Sequence, residues 1–262
     1  MSVLSSGSAR ATGFLTLLRR EILRFVRRPR NTFLPPAITN LLYFAVFGVV
    51  LGSRLSGVSG DYSYLEFVLP GLVVLGAVSN AFENASFSIF HGRWNDYIHE
   101  VLTSPLSHTA MVFAYILSSA LRGLLVGGIV VAVGLLFTPV RVAQPFYLLA
   151  FALVIPTLFA SLGVVGGLWA EDFDYLTVLT QFLLRPLVFF GGVFYSLSVL
   201  PEPYYTVSLF NPMVYMVDGV RYGFLGYTEL GPNVSLGVLS ALTLAVILVD
   251  VYLFKKGYGL VE

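Results

Sequence analysis

Three ionisable residues stand inside long apolar runs of this 262-residue chain: Glu83, Arg122 and Arg185. A charged group in hydrocarbon is costly, so such residues face protein or water and mark substrate paths, relays or helix–helix pins. Glu83 and Arg122 lie on consecutive runs and can pair only if their depths match. As a site, a carboxylate beside a guanidinium would suit a membrane enzyme or insertase acting on lipid, or the polar lining of a translocation path. As a pin, it would fix packing. Asp250, near the end of the last run, is expected to reach the interface with Lys255 and Lys256.

Other chemistries are excluded by residue type. The chain has no cysteine, which removes thiol catalysis and thiolate metal sites. Its three histidines, His91, His99 and His108, share one hydrophilic connection without an H-E-x-x-H arrangement, and read as solvated. The phosphate-cradling loop G-x-x-x-x-G-K-[ST] requires a Lys, and the only lysines are Lys255 and Lys256, outside any such loop. The chain therefore does not bind ATP by that route. No ring of carbonyls or carboxylates resembles an ion-selectivity filter.

Hydrophobic residues make up 57% of the chain and charged ones 11%, against about 25% charged in soluble domains. The expected fold is an all-α integral membrane domain with six spans: Phe33–Gly52, Phe67–Phe90, Thr109–Phe137, Phe146–Ala170, Leu176–Leu197 and Val234–Phe254. Basic residues near the span ends set orientation. Seven arginines precede the first span and Lys255 and Lys256 follow the last, so both termini are expected in the cytoplasm. Nothing in residues 1–30 reads as a cleaved signal, and no internal repeat is evident.

Between the fifth and sixth spans the chain twice begins an apolar run too short to cross, Gly191–Leu200 and Val207–Val217, broken by Pro201, Pro203 and Pro212. Runs of about ten residues are re-entrant or interfacial rather than spanning. Non-helical backbone at that depth survives only where protein or a water-filled cavity covers it. The segment is therefore read as capping a pathway. Phe189, Phe190, Phe194, Tyr195, Tyr204 and Tyr205 suit either an exit path or an interfacial aromatic belt.

Two further elements flank the spans. Leu15, Leu18, Ile22, Phe25 and Val26 form a helical stripe, with Arg19, Arg20, Arg24, Arg27 and Arg28 on another face. Such a basic amphipathic helix lies in the headgroup plane as a lipid anchor, or forms part of a docking platform. In the connection 91–108, Asn95 or Asp96 can cap a short helix to about Thr103, with Trp94, Tyr97, Ile98, Val101 and Leu102 inward and Arg93, Asp96 and Glu100 outward. Small-xxx-small spacing at Gly123 and Gly127, and Gly163, Gly166 and Gly167, reads as close helix packing.

Several short motifs occur in a fixed order: Leu69-Pro70-Gly71, Glu100-Val101-Leu102-Thr103-Ser104-Pro105, Arg122-Gly123 and Gly191-Gly192-Val193-Phe194-Tyr195-Ser196. Leu200-Pro201, Asn211-Pro212-Met213-Val214-Tyr215, Arg221-Tyr222-Gly223 and Gly226 complete them. From about residue 14 to its end the chain resembles the membrane subunit of ATP-binding-cassette exporters of the type-2 permease family. These include small bacterial inner-membrane permeases for polysaccharides, lipo-oligosaccharides and drugs.

The resemblance implies a non-catalytic half-transporter of the prokaryotic inner membrane, moving an amphipathic or lipid-linked substrate outward. Its partners would be a second permease copy, two copies of an ATPase subunit that binds ATP and Mg, and membrane lipids, with no nucleic acid. Residues 1–31 would form a cytoplasmic tail with the interface helix (Arg19, Arg20, Arg24, Arg27, Arg28), and 32–262 the transmembrane domain. Within it, residues 95–104 would be the coupling helix, with Arg93, Asp96, Glu100, Leu102 and Pro105 transmitting to the ATPase. Residues 191–226 would be a re-entrant gate, shaped by Gly191, Gly192, Tyr195, Pro201, Asn211, Pro212 and Arg221, with Arg221 reaching Asp218 only weakly. An enzyme or insertase would instead act without an ATPase, and a scaffold or immunity protein would tolerate substitutions in 95–104.

Overall fold

The computed structural model describes residues 2–47 and 62–260. All regular structure among them is helical: α1 (Ser2–Val26), α2 (Pro29–Ala45), α3 (Tyr64–Trp94), α4 (Ile98–Leu102), α5 (His108–Gly134) and α6 (Pro145–Trp169), then α7 (Phe173–Val178), α8 (Arg185–Phe189), α9 (Glu202–Ser208), α10 (Pro212–Leu225) and α11 (Pro232–Lys256). Four helices, α3, α5, α6 and α11, are long and apolar enough to cross a membrane. They match the second, third, fourth and sixth expected spans to within four residues at each end.

The first expected span falls on α2, a 17-residue helix that starts at Pro29; the rest of that span, from Gly48, lies outside the described residues. The fifth, Leu176–Leu197, is corrected. It is a composite of α7, a π-helical turn Leu179–Leu184 and α8, and helix ends at Phe189. Beyond it Gly192 has φ +71, a left-handed conformation that stops the helix.

Helix α3 is the axis of the bundle. Helices α5 and α6 pack along it, α10 fits between α3, α6 and α11, and α1 and α2 lie against α5. Its ends are set locally. Ser63 accepts from the Glu66 amide while the Glu66 carboxylate accepts from the Ser63 amide, a capping box. Close approach comes from the glycines. A Cβ on Gly123 of α5 would sit 2.6 Å from the Ala77 carbonyl oxygen; on Gly163 and Gly167 of α6 it would meet those of Phe82 and Ser86 at 2.5 and 2.6 Å. The packing role expected of these positions holds. Gly163→Ala should cost about 1–3 kcal/mol because a backbone atom cannot yield. Gly237→Ala in α11, which has open space around it, should be neutral in the same detergent melt. Equal melting temperatures for the two variants would contradict this packing.

Candidate functional site

At the α4 end of the bundle, α1 is held by a buried carboxylate that its sequence pattern hides. Glu21, 2% exposed, accepts from Arg20 (2.9 Å) and from the Ser88 hydroxyl of α3 (2.5 Å), and forms an ion pair with Arg24 (3.2 Å). The buried stripe of α1 is accordingly Leu17, Glu21 and Phe25, with Phe14 and Leu18 partly covered. The expected stripe is corrected in two places, since Leu15 and Val26 are exposed. The helix turns this way because a carboxylate between two arginines is neutralised in place, and Ser88 satisfies a further lone pair.

Of the five arginines, Arg24 is tied inward as well: it donates to both the backbone and side-chain oxygens of Asn84, each at 3.0 Å. Asn84 also accepts from Arg122 (3.2 Å) and donates to Ser119 (2.9 Å), while Arg122 reaches the Asn80 side-chain oxygen at 3.2 Å. The pairing of Glu83 with Arg122 is therefore not made. The ion pairs among the described residues are Arg20–Glu21 and Arg24–Glu21. Glu83 and Arg122 instead line one polar cavity of about 340 Å³ between α2 and α3. Asn80 and Asn84, one turn apart, take the guanidinium instead.

Helix α4 is shorter than expected. Its N-cap is Tyr97, without a side-chain cap. Asn95 donates back to the His91 carbonyl, and Asp96 has φ +60, the left-handed value at which a short polar residue turns the chain. Ile98 and Val101 are buried, Leu102 is half-buried, and Asp96, Glu100 and Pro105 face outward. Trp94 is exposed and not inward. Arg93 is not outward: it donates at 2.8 Å to the carbonyls of Gly167 and Ala170, the free end of α6. The Arg20 guanidinium lies over the Tyr97 ring at 5.5 Å and links α1 to the start of α4. Burial pushes the Tyr97 hydroxyl above its usual range, and the Glu21 charge adds to that.

At the other end, the segment after α8 folds back twice. Asn211 caps α10 by accepting from the Met213 amide (2.9 Å), and its amide donates to the Leu187 carbonyl of α8 (2.7 Å). Pro212 occupies the first turn of α10, where its missing N–H costs nothing. A Cβ on Gly191 would meet that of Met213 at 2.6 Å. Pro201 precedes α9, and Tyr195 is half-buried. Arg221 is buried, donates to the Gly192 carbonyl at 2.8 Å and lies 3.8 Å over the Phe67 ring. It does not bond Asp218, whose carboxylate accepts from Thr228 (2.9 Å), the Glu229 amide (2.7 Å) and Ser235 (3.1 Å). Glu229 then accepts from Ser196 at 2.8 Å and from the Ser198 amide at 3.2 Å. These polar staples went unread in the sequence because their partners, Thr228, Glu229 and Ser235, lie past residue 226.

Arg185 is exposed, on an apolar groove of about 1130 Å³ between α8 and α9, beside Phe189, Phe190, Tyr195 and Tyr204. Phe194 is turned away from the groove and stacks on Phe47 at 4.8 Å. Asp250 does not reach the interface with Lys255 and Lys256: it is fully buried and takes the Ser161 hydroxyl of α6 as its partner.

Residues 12–225 match the family model described as ABC-2 type transporter. The chain is 36% identical over 241 residues to the "Inner membrane transport permease YadH" of Escherichia coli strain K12, covering 92% of this chain and 94% of that one. It is 23% identical over 248 residues to "Nodulation protein J" of Rhizobium leguminosarum bv. viciae, covering 93% and 94%. It is 25% identical over 250 residues to the "Polysialic acid transport protein KpsM" of Escherichia coli, covering 92% and 90%.

Proposed function

Because this chain belongs to the ABC-2 type transporter family, we propose that it is the membrane-spanning subunit of an ATP-driven exporter of the inner membrane. It moves an amphipathic or lipid-linked substrate outward, and a separate ATPase subunit, in two copies, binds ATP and Mg. Two permease copies form the path. Each has six spans, α2, α3, α5, α6, the composite α7–α8 and α11, with both termini cytoplasmic. Helix α1 is the interface helix, α4 the coupling helix, and residues 191–226 the re-entrant gate.

The observation that carries this reading is the attachment of α4. It joins the two core helices α3 and α5, sinks Ile98 and Val101 into the bundle, and presents Asp96, Glu100 and Pro105 outward. A push on α4 is thus delivered to α3 directly and to α1 through Tyr97 and Arg20. Helix α3 carries it to the far end, where Phe67 lies under Arg221 and Tyr64 donates to the Phe194 carbonyl at 3.2 Å. Hydrolysis in the partner is the energy source, and this chain's part is to convert a displacement of α4 into movement of the gate.

The test is purification of the C-terminally tagged chain in mild detergent from its own host. A nucleotide-binding subunit should be recovered in equimolar amount with ATP hydrolysis. Glu100→Arg, which reverses an exposed charge on α4, should weaken that capture about tenfold while the melting temperature is kept. Recovery of the chain alone, under conditions that retain known complexes of this kind, would sink the proposal.

A further inference from the structure

The concave face between α1 and α4 is an open cleft of about 820 Å³ at the end of the bundle where α3 terminates. Arg19, Arg20 and Arg24 of α1, with Arg27 and Arg28 just past its end, line it against two carboxylates, Glu21 and Glu100, a formal excess of three positive charges. Arg20 and Arg24 are spent internally on Glu21 and Asn84. Among the described residues, Arg19, Arg27 and Arg28 make no hydrogen bond or ion pair through their side chains and are exposed. Guanidinium groups match phosphate oxygens in bidentate geometry, and three free ones over a single cleft exceed what a lone carboxylate would neutralise.

Depth identifies the phosphate's carrier. Helix α3 has 31 residues, about 46 Å at 1.5 Å per residue, against a hydrocarbon layer of about 30 Å. If the layer begins at Phe67, about 20 residues of helix bring its other face near Phe87. Ser88 and Asn84, which fix Glu21 and Arg24, flank that level. On that placement Arg19 of α1, and Arg27 and Arg28 just past its end, lie at the phosphate layer of the leaflet. The neighbouring Leu15 and Val26 are exposed, as acyl-facing side chains would be.

We propose that this cleft is a binding site for the phosphate head of an amphiphile in the inner leaflet, with Arg19, Arg27 and Arg28 as its ligands. The orientation rests on the proposed function; the chemistry does not, and it is measurable on the chain without an ATPase. A phosphate head bound beside Glu100 would bring a charged amphiphile against the coupling helix itself.

The experiment uses the full chain in nanodiscs of phosphatidylcholine doped with dioleoyl phosphatidic acid, with native mass spectrometry reading retained lipid. Wild type should retain phosphatidic acid over phosphatidylcholine, and R19Q/R27Q/R28Q should lose about tenfold or more of that preference. The variant R10Q/K255Q/K256Q removes as many positive charges outside the cleft and should stay within twofold of wild type. If the second variant loses as much as the first, the attraction is general surface charge and the cleft is overturned as a site. Binding of inorganic phosphate alone in detergent, with displacement of phosphatidic acid at millimolar phosphate, would reassign the cleft to a soluble anion. Unchanged lipid retention in R19Q/R27Q/R28Q together with loss of ATPase capture would reassign it to the partner protein. Lipid preference lost as expected in a chain that captures no ATPase would retain this inference and sink the proposed function.

Discussion

Glu21→Ala is expected to loosen α1 from the bundle at a cost of roughly 2–3 kcal/mol, below the about 3–5 for a fully buried pair because both arginines keep some solvent. Removing the carboxylate strips Arg20 and Arg24 of their shared counter-ion and leaves the buried Ser88 hydroxyl without its acceptor. Two like charges would then face each other one turn apart. Glu21→Gln keeps a hydrogen-bond acceptor for Ser88 and should fall between. The double variant Glu21→Gln with Arg24→Gln relieves the repulsion between the two arginines but also removes the bonds from Arg24 to Asn84, so it should recover little of the loss. A melt in detergent reads all four proteins. A wild-type melting temperature for Glu21→Ala would mean that α1 is held by Leu17 and Phe25 alone. The functional consequence follows from geometry: Arg20 also covers Tyr97, so a loosened α1 uncouples α4 from one of its two attachments.

Why Glu21 escaped the sequence reading is instructive about what periodicity encodes. Hydrophobic spacing finds a buried face by its apolar members, and in α1 the most buried polar residue sits in the middle of that face. With Glu21 discounted, the apolar line through Leu15, Leu18, Ile22, Phe25 and Val26 is broader than the true face, and two of its members, Leu15 and Val26, are exposed. The same limit applies to Arg93. Its place in a hydrophilic connection reads as exposed, and only the neighbouring end of α6, 74 residues later, gives its guanidinium carbonyls to bind.

What was legible is what local chemistry decides. The long apolar helices, the glycine contacts and the break at Asn211-Pro212 follow from residue type and spacing at the position itself. Glu83 and Arg122 show the boundary between the two cases. Their presence in apolar runs left a polar lining and a packing pin both open, and both residues line one cavity. Their pairing was undecidable because Asn80 and Asn84, equally polar and one turn apart, compete for the same guanidinium. Asp250 failed for the converse reason: proximity to Lys255 and Lys256 along the chain is not proximity in a helix, where its face is turned to Ser161.

Arg221 offers the sharpest test of how the turn after α8 is held. Its guanidinium supplies a hydrogen bond to the Gly192 carbonyl and lies over Phe67, so it clamps the turn after α8 onto α3. Losing the ring contact costs about 0.5–2 kcal/mol and leaving a buried carbonyl unpaired about 1–3, together about 1.5–5 kcal/mol of local stability. Global melting understates this, because a leucine at the site regains the desolvation that a buried guanidinium suffers. Local opening is the better readout, and the chain has no cysteine to confuse it. Val193, fully buried with its backbone 2.8 Å from where a Cβ on Gly71 would sit, serves as reporter after Val193→Cys. In the Arg221→Leu background its labelling by a membrane-impermeant maleimide should rise at least tenfold, since labelling of a buried thiol tracks the open population. Arg221→Lys should label at a rate between those of the parent and Arg221→Leu, because an ammonium reaches the carbonyl but forfeits the planar stack on Phe67. If both variants label at the parent rate, the turn is held by Asn211 and the Glu229–Ser196 contact, and Arg221 is not its clamp. If Lys alone restores the parent rate, the carbonyl bond matters and the ring does not.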